Sequence, residues 1–171
     1  MPDEITNESQ SNLDAVAPVL GRMPSGIFVL TAGDGLGHNT GMLASWVQQA
    51  SFDPPAVTVA VNKKRYLNDW LDKSPQLALS LVGESQTEFL KHFGRGFDPD
   101  QPAFEGIATT LAANGLPVLR DALGYLDGRV TGRLETGDHL VYLLEITGAG
   151  SGENLQSENP MIHIRKNGMN Y

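Results

Sequence analysis

The stretch Gly41-Met-Leu-Ala-Ser-Trp-Val-Gln-Gln-Ala-Ser-Phe-Asp-Pro-Pro55, running on into Ala56-Val-Thr-Val-Ala-Val61, decides how this chain is read. Val- and Thr-rich runs favour strands, and Asp53-Pro54-Pro55 interrupts them because proline carries no ladder donor and fixes φ. One strand is expected near Asn39–Ser45, continuing to Ala50, and another over Ala56–Val61. The first is unusual for a plain core strand in its small residues, Gly41, Ala44, Ser45, Ala50 and Ser51, which let a flat ligand approach the backbone. The hydroxyls of Ser45 and Ser51 can donate to ring carbonyls or to phosphate. The second strand ends on Asn62-Lys63-Lys64-Arg65, just before an expected helix, where cations and free amides suit an anion. A planar polar ring carrying a phosphate fits both features; a solvated loop is the plain alternative for three adjacent cations.

Working outward, Gly26–Ala32 reads as a buried strand, and Gly33-Asp34-Gly35-Leu36-Gly37 as the turn of a hairpin. Downstream, Arg65–Leu71 has helical spacing, with Leu67, Trp70 and Leu71 on one side, and Gln76–Val82 is a strand. Ser85-Gln-Thr-Glu88 has the form of a capping box opening a helix whose apolar side holds Leu90 and Phe93. After a Gly/Pro/Asp loop over 94–102 and a short apolar run at 116–119, Leu123–Leu134 alternates. Gly137-Asp138 turns the chain into the apolar strand His139–Ile146, and Met161–Ile164 is a last short strand. At the start, residues 1–12 read as a loose tail, with Asn12 capping a helix over Leu13–Leu20. Residues 13–171 then make one domain. The order is mainly β with inserted helices and lacks strict βαβ alternation, which fits a closed or nearly closed antiparallel barrel.

Composition narrows the function. The chain has 171 residues, 40% hydrophobic and 19% charged, which is ordinary globular material. It contains no cysteine, so disulfides, thiolate metal sites and cysteine nucleophiles are excluded. A net charge of −8 argues against nucleic acid, which needs a basic face. No segment has the apolar length of a membrane helix. The opening residues are acidic and polar, unlike a signal or transit peptide, so a cytoplasmic location is expected.

Standard catalytic motifs are missing. Gly33–Gly37 is followed by strand-like residues rather than a helix with a third glycine, which rules out a dinucleotide fingerprint. There is no phosphate-binding P-loop and no nucleophile elbow. His38, His92, His139 and His163 lack metal-ligand spacing. No carboxylate pair stands out for acid–base work.

The chain resembles the flavin reductase-like family, the FMN-binding split-barrel flavoproteins, and within it the flavin reductase-like module of cyanobacterial flavodiiron proteins. The resemblance rests on Phe28–Ala32, Met42–Val47 with Gln49–Pro55, and Leu90–Phe93. It continues through Asn114-Gly115, Asp121–Leu123, Gly137-Asp138-His139 and the ending His163–Tyr171, spanning roughly residues 20–171. It implies a six-stranded antiparallel Greek-key split barrel that forms a homodimer with FMN, or FAD, near the subunit interface. The implied activity is flavin reduction by NAD(P)H.

By position, the resemblance places Leu43, Ala44, Ser45 and Trp46 along the isoalloxazine, and Ser51 with Asp53, Pro54 and Pro55 at the floor. It places Lys63, Lys64 and Arg65 at the phosphate, and Phe93 and Gly94 near the ring. His139 faces flavin and nicotinamide as the catalytic position, and Arg165 and Tyr171 close the pocket. Many reductases of the family carry Ser where Trp46 stands, and the bulkier residue suits a tightly held FMN. The alternatives are a non-catalytic FMN electron-transfer module serving a partner oxidase or flavodiiron protein, and a split barrel holding another planar ligand.

Overall fold

The computed structural model describes residues 7–170. They fall into two compact units, one built from Gly26–Met161 and the other from the two chain ends, up to Ser25 and from Ile162 onward. The elements are α1 (Asn7–Gly21), β1 (Ser25–Gly26), β2 (Phe28–Gly33), β3 (Asn39–Ala44), β4 (Val47–Phe52), β5 (Pro55–Asn62), α2 (Leu67–Lys73) and β6 (Gln76–Leu81). They continue with α3 (Thr87–Phe93), β7 (Thr109–Leu111), β8 (Pro117–Leu119), β9 (Gly124–Glu135), β10 (His139–Ser151) and β11 (Ile162–His163).

The main sheet has seven strands in the order β3-β2-β6-β9-β10-β5-β4. The strand expected to run unbroken from Asn39 toward Ala50 is in fact two, and this accounts for the seventh strand. Its halves lie at opposite edges of the sheet, joined only by Ser45 and Trp46. Laid flat, six inter-strand gaps would separate the edges by about 29 Å. The three Cα steps from Ala44 to Val47 reach only about 11 Å. The sheet must therefore curl until its edges meet, and this closure makes it a barrel. The Trp46 carbonyl accepts from Ala60 N at 3.0 Å, fastening the corner to β5.

Both faces of the sheet are covered. Inside, Leu30, Val57, Val59, Val61, Leu77, Leu79, Tyr142 and Leu144 form one buried cluster. Outside, Val29, Val82, Phe89, Phe93 and Leu119 form a second, with α3 lying over β3. Each such side chain contributes roughly 1.5–3 kcal/mol when withdrawn from water. This two-sided burial explains why Phe28–Gly33 reads as a continuous apolar run.

Two local expectations are corrected. The helix expected at Leu13–Leu20 begins at Asn7, so residues 7–12 are helical, and Gln10 Nε2 donates to Asp14 Oδ1 at 3.0 Å one turn on. Residues 1–6 of the expected tail lie outside the described residues. The capping box at Ser85–Glu88 does not form: α3 follows Gln86, with no side-chain cap bond. Glu158 competes for Ser85, accepting from its backbone N at 2.9 Å and its Oγ at 2.6 Å. Gln86 instead bonds the Gly83 amide at 2.8 Å and the Asp121 carbonyl.

The Ser85 side-chain hydrogen bond, then its backbone one, hold the Glu158 carboxyl below the usual carboxylate range. A depressed folded pKa stabilises at pH above the unfolded value of about 4.3, and that stability is lost as pH falls through the folded value. Glu158→Gln should therefore lower the urea midpoint at pH 6 and make less difference at pH 3. An equal difference at both values would refute the linkage.

No helix among the described residues is long and apolar enough to cross a membrane. At the chain ends, Arg165 N donates to the Gly21 carbonyl at 2.8 Å and Gly168 N to that of Ala17 at 2.7 Å.

Candidate functional site

Barrel closure sets Trp46 against the start of β10. The Trp46 and His139 rings lie 4.7 Å apart at 41°, although 93 positions separate them in sequence. His139 is 6% exposed. Its Nδ1 is 2.8 Å from Asp138 Oδ1, and Thr136 Oγ1 donates to its carbonyl at 2.9 Å. The bond between the His139 ring and Asp138 holds the Asp138 carboxyl below its ordinary range.

The cation turn adjoins this pair, because Asn62 at the end of β5 stands opposite His139 in the ladder. Lys63 N donates to the Asp138 carbonyl at 2.9 Å. The three cations are not equivalent. Lys63 Nζ is 2.8 Å from Glu135 Oε1, an ion pair that depresses the Glu135 carboxyl. Lys64 and Arg65 form no ion pair among the described residues. A side chain at Gly96 would come within 2.7 Å of Arg65 Nη1, so glycine there lets the loop lie close to the guanidinium; its φ of +72° also favours glycine.

Other expected site residues fall in different places. Leu43 is half-buried on β3, and its Cδ1 is 4.0 Å from where a Cβ on Gly94 would sit, so these two do converge. Phe93 does not reach a surface. It is 1% exposed, packed between Phe97 and Phe104, and its ring would touch a Cβ placed on Gly41. Its position is support beneath β3, because α3 turns its apolar side onto the sheet. Ala44 is buried and Ser45 half-buried at the corner.

Ser51 and Asp53–Pro55 lie at the far end of the β4–β5 hairpin, where the Asp53–Pro54 peptide is cis. The whole of β5 separates Pro55 from Lys63, a span of roughly 26 Å. That exceeds the length of one flavin mononucleotide, so one chain does not bring floor and phosphate residues onto a single ligand. Arg165 turns its guanidinium onto its own tail, with Nη1 3.3 Å from the Gly168 carbonyl and 3.4 Å from that of Asn170. Tyr171 lies outside the described residues.

An apolar cleft of about 380 Å³ opens elsewhere on the barrel, lined by Phe28, Leu79, Leu81, Tyr125, Leu126 and Leu155 among others. It includes none of the expected site residues and has no charged group to fix an anion.

Sequence reading missed Asn68 and Tyr142, buried polar partners beneath the cation turn. Asn68 sits at the second position of α2 and carries no motif; only the adjacency of its helix to the lysines could have drawn attention to it.

The family described as flavin reductase like domain matches residues 20–170. Diflavin flavoprotein A 1 of Synechocystis sp. is 38% identical over 154 residues, covering 89% of this chain and 26% of that protein. The chain thus spans about a quarter of the length of the curated relatives it matches. The NADH:FAD oxidoreductase of Streptomyces globisporus C-1027 has the same fold, with a TM-score of 0.79, 24% identity, and 96% of this chain and 94% of that one covered. The styrene monooxygenase flavin reductase of Pseudomonas putida S12 superposes with a TM-score of 0.71 at 26% identity, covering 86% of this chain and 90% of that one.

Proposed function

Because the chain belongs to the flavin reductase like family, we propose that it binds FMN, with FAD as the alternative, and reduces it at the expense of NADH or NADPH. The observation that carries this reading is the cation turn. Among the described residues Lys64 and Arg65 pair with no carboxylate, and they lie close to the strand end that abuts the Trp46–His139 pair. A cationic pair beside an aromatic wall is the donor set that a phosphate-bearing planar ring needs.

Lys64 and Arg65 would hold the phosphate, with Lys63 kept in place by Glu135. Leu43, Ala44, Ser45 and Trp46 would line the ring, and Gly94 would leave room beside Leu43. His139, its Nδ1 taken by Asp138, would present its other ring nitrogen to the reactants. The bound cofactor supplies hydride chemistry between nicotinamide and flavin, so the protein's task is to order two rings and keep water out. Ser51 and Asp53–Pro55, too distant within one chain, would serve the site of a second copy in a homodimer. The expected cytoplasmic location belongs to this same reading.

A second reading has its own support. The relatives named diflavin flavoproteins are several times longer than this chain, and Trp46 occupies the corner where an exchanging flavin would enter. On that reading the chain holds FMN and passes electrons to an oxidase or another acceptor protein.

The deciding experiment is an absorbance scan of the purified protein loaded with FMN, followed by anaerobic addition of NADH and then NADPH. Flavin bands that bleach with either nucleotide are expected and name the donor. Retained flavin that resists both would overturn the reductase in favour of the electron-transfer module. Failure to take up FMN would overturn both.

A further inference from the structure

The cation turn is held from below by one buried amide. Asn68, on the first turn of α2, is 7% exposed. Its Nδ2 lies 3.0 Å from the Asn62 carbonyl, 2.8 Å from that of Arg65 and 3.4 Å from that of Lys63. Its Oδ1 accepts from the Tyr142 hydroxyl at 2.8 Å. Tyr142 is 1% exposed inside the barrel, and burial is the main cause of its raised pKa. Only one orientation of the amide satisfies these partners, since three carbonyls need donors and the phenol supplies one. The turn also ties itself together: Lys64 N donates to Asn62 Oδ1 at 2.9 Å and Arg65 N to the Asn62 carbonyl at 3.0 Å.

We propose that Asn68, oriented by Tyr142, is the positioning residue of an anion site at Asn62–Arg65, fixing the turn in the shape that aims Lys64 and Arg65 at the flavin phosphate. The inference rests on the reading of that turn given above. A buried amide must satisfy its donors and acceptor or bear a desolvation cost, so plain packing would favour an apolar side chain here. An amide that donates to the Asn62 and Arg65 carbonyls, with that of Lys63 a longer contact at 3.4 Å, does something packing cannot, which is to tie both ends of this hydrogen-bonded turn to α2. Preorganisation of this kind raises affinity by removing the ordering cost of the loop. It should act on the phosphate and leave the ring site alone.

The test separates phosphate from ring. Dissociation constants for FMN and for riboflavin, which has the same ring and no phosphate, are measured by equilibrium dialysis on the full chain. The wild type should prefer FMN. Asn68→Asp keeps the shape but turns an acceptor toward the carbonyls. It should narrow the preference at least about tenfold, the loss of one charge-assisted contact, while riboflavin binding changes less than about threefold. Tyr142→Phe keeps the core ring and removes only the hydroxyl, so it stays informative if the Asn68→Asp variant fails to fold. It should narrow the preference in the same direction by a smaller factor.

A wild type with no preference for FMN would overturn the reading of Lys64 and Arg65, and this inference with it. A wild-type preference that survives unchanged in both variants would overturn the role of Asn68 alone. Equal weakening of FMN and riboflavin would also overturn that role, reducing Asn68 to a structural residue.

Discussion

Gly128→Ala should lower the unfolding free energy by about 3 kcal/mol, whereas Gly132→Ala on the same strand should change it by less than about 0.5 kcal/mol. The two glycines lie on β9, on either side of the register shift between Leu143 and Leu144. At Gly128 an added Cβ would stand 2.0 Å from the Glu145 carbonyl oxygen and 2.9 Å from its carbon. Those atoms are backbone, and β10 is tied there on both sides: Gly128 pairs with Ile146 just before a register shift, and β10 also pairs with β5. The clash can be relieved only by pulling two central barrel strands apart. At Gly132 the nearest atom is Leu143 Cβ at 3.8 Å, an ordinary contact. Urea melts of both variants check this. Equal midpoints would show that the register shift is free to absorb a methyl group, and the close approach would then have no energetic meaning.

Some of this architecture was legible from the chain. Val57, Val59 and Val61 alternate with smaller residues, and β5 formed where the Val/Thr run predicts it. The hairpin at Gly33–Gly37 turned because Gly35 and Gly37 take positive φ. The corner at Ser45-Trp46 was not legible, because nothing there has turn chemistry. The chain leaves one strand and joins another across the closed barrel, so the break is tertiary and leaves period-two patterning intact on both sides.

The far end of β10 was missed for a related reason. Thr147-Gly-Ala-Gly-Ser151 has low strand propensity, yet it forms strand as far as Ser151. Its glycines answer to neighbours on β9: a Cβ at Gly148 would strike Asp127 Oδ1 at 2.1 Å, and one at Gly150 the Tyr125 ring at 2.3 Å. Packing against a neighbouring strand overrode local preference. The site followed the same rule. The clustered lysines announced themselves, whereas the Trp46–His139 contact required the sheet to close before it could exist.

His139→Ala should slow anaerobic bleaching of the flavin bands by NADH or NADPH about 100-fold, while FMN affinity shifts less than about threefold. The expectation follows from how tightly the imidazole is held. It is almost fully buried, its Nδ1 is 2.8 Å from Asp138, its carbonyl accepts from Thr136, and its ring rests on Trp46. A side chain held by a carboxylate and an aromatic ring, on a backbone that Thr136 fastens, acts by position, and a misplacement of about 1 Å between reacting rings costs roughly this factor. The phosphate contacts lie on the neighbouring turn, so binding and turnover should separate. Loss of FMN in the same proportion as the rate would make His139 a binding residue. An unchanged rate would leave the Trp46–His139 pair as barrel packing, and the electron-transfer reading would then be the stronger one, because a corner that merely walls in a flavin has no need to admit a nicotinamide.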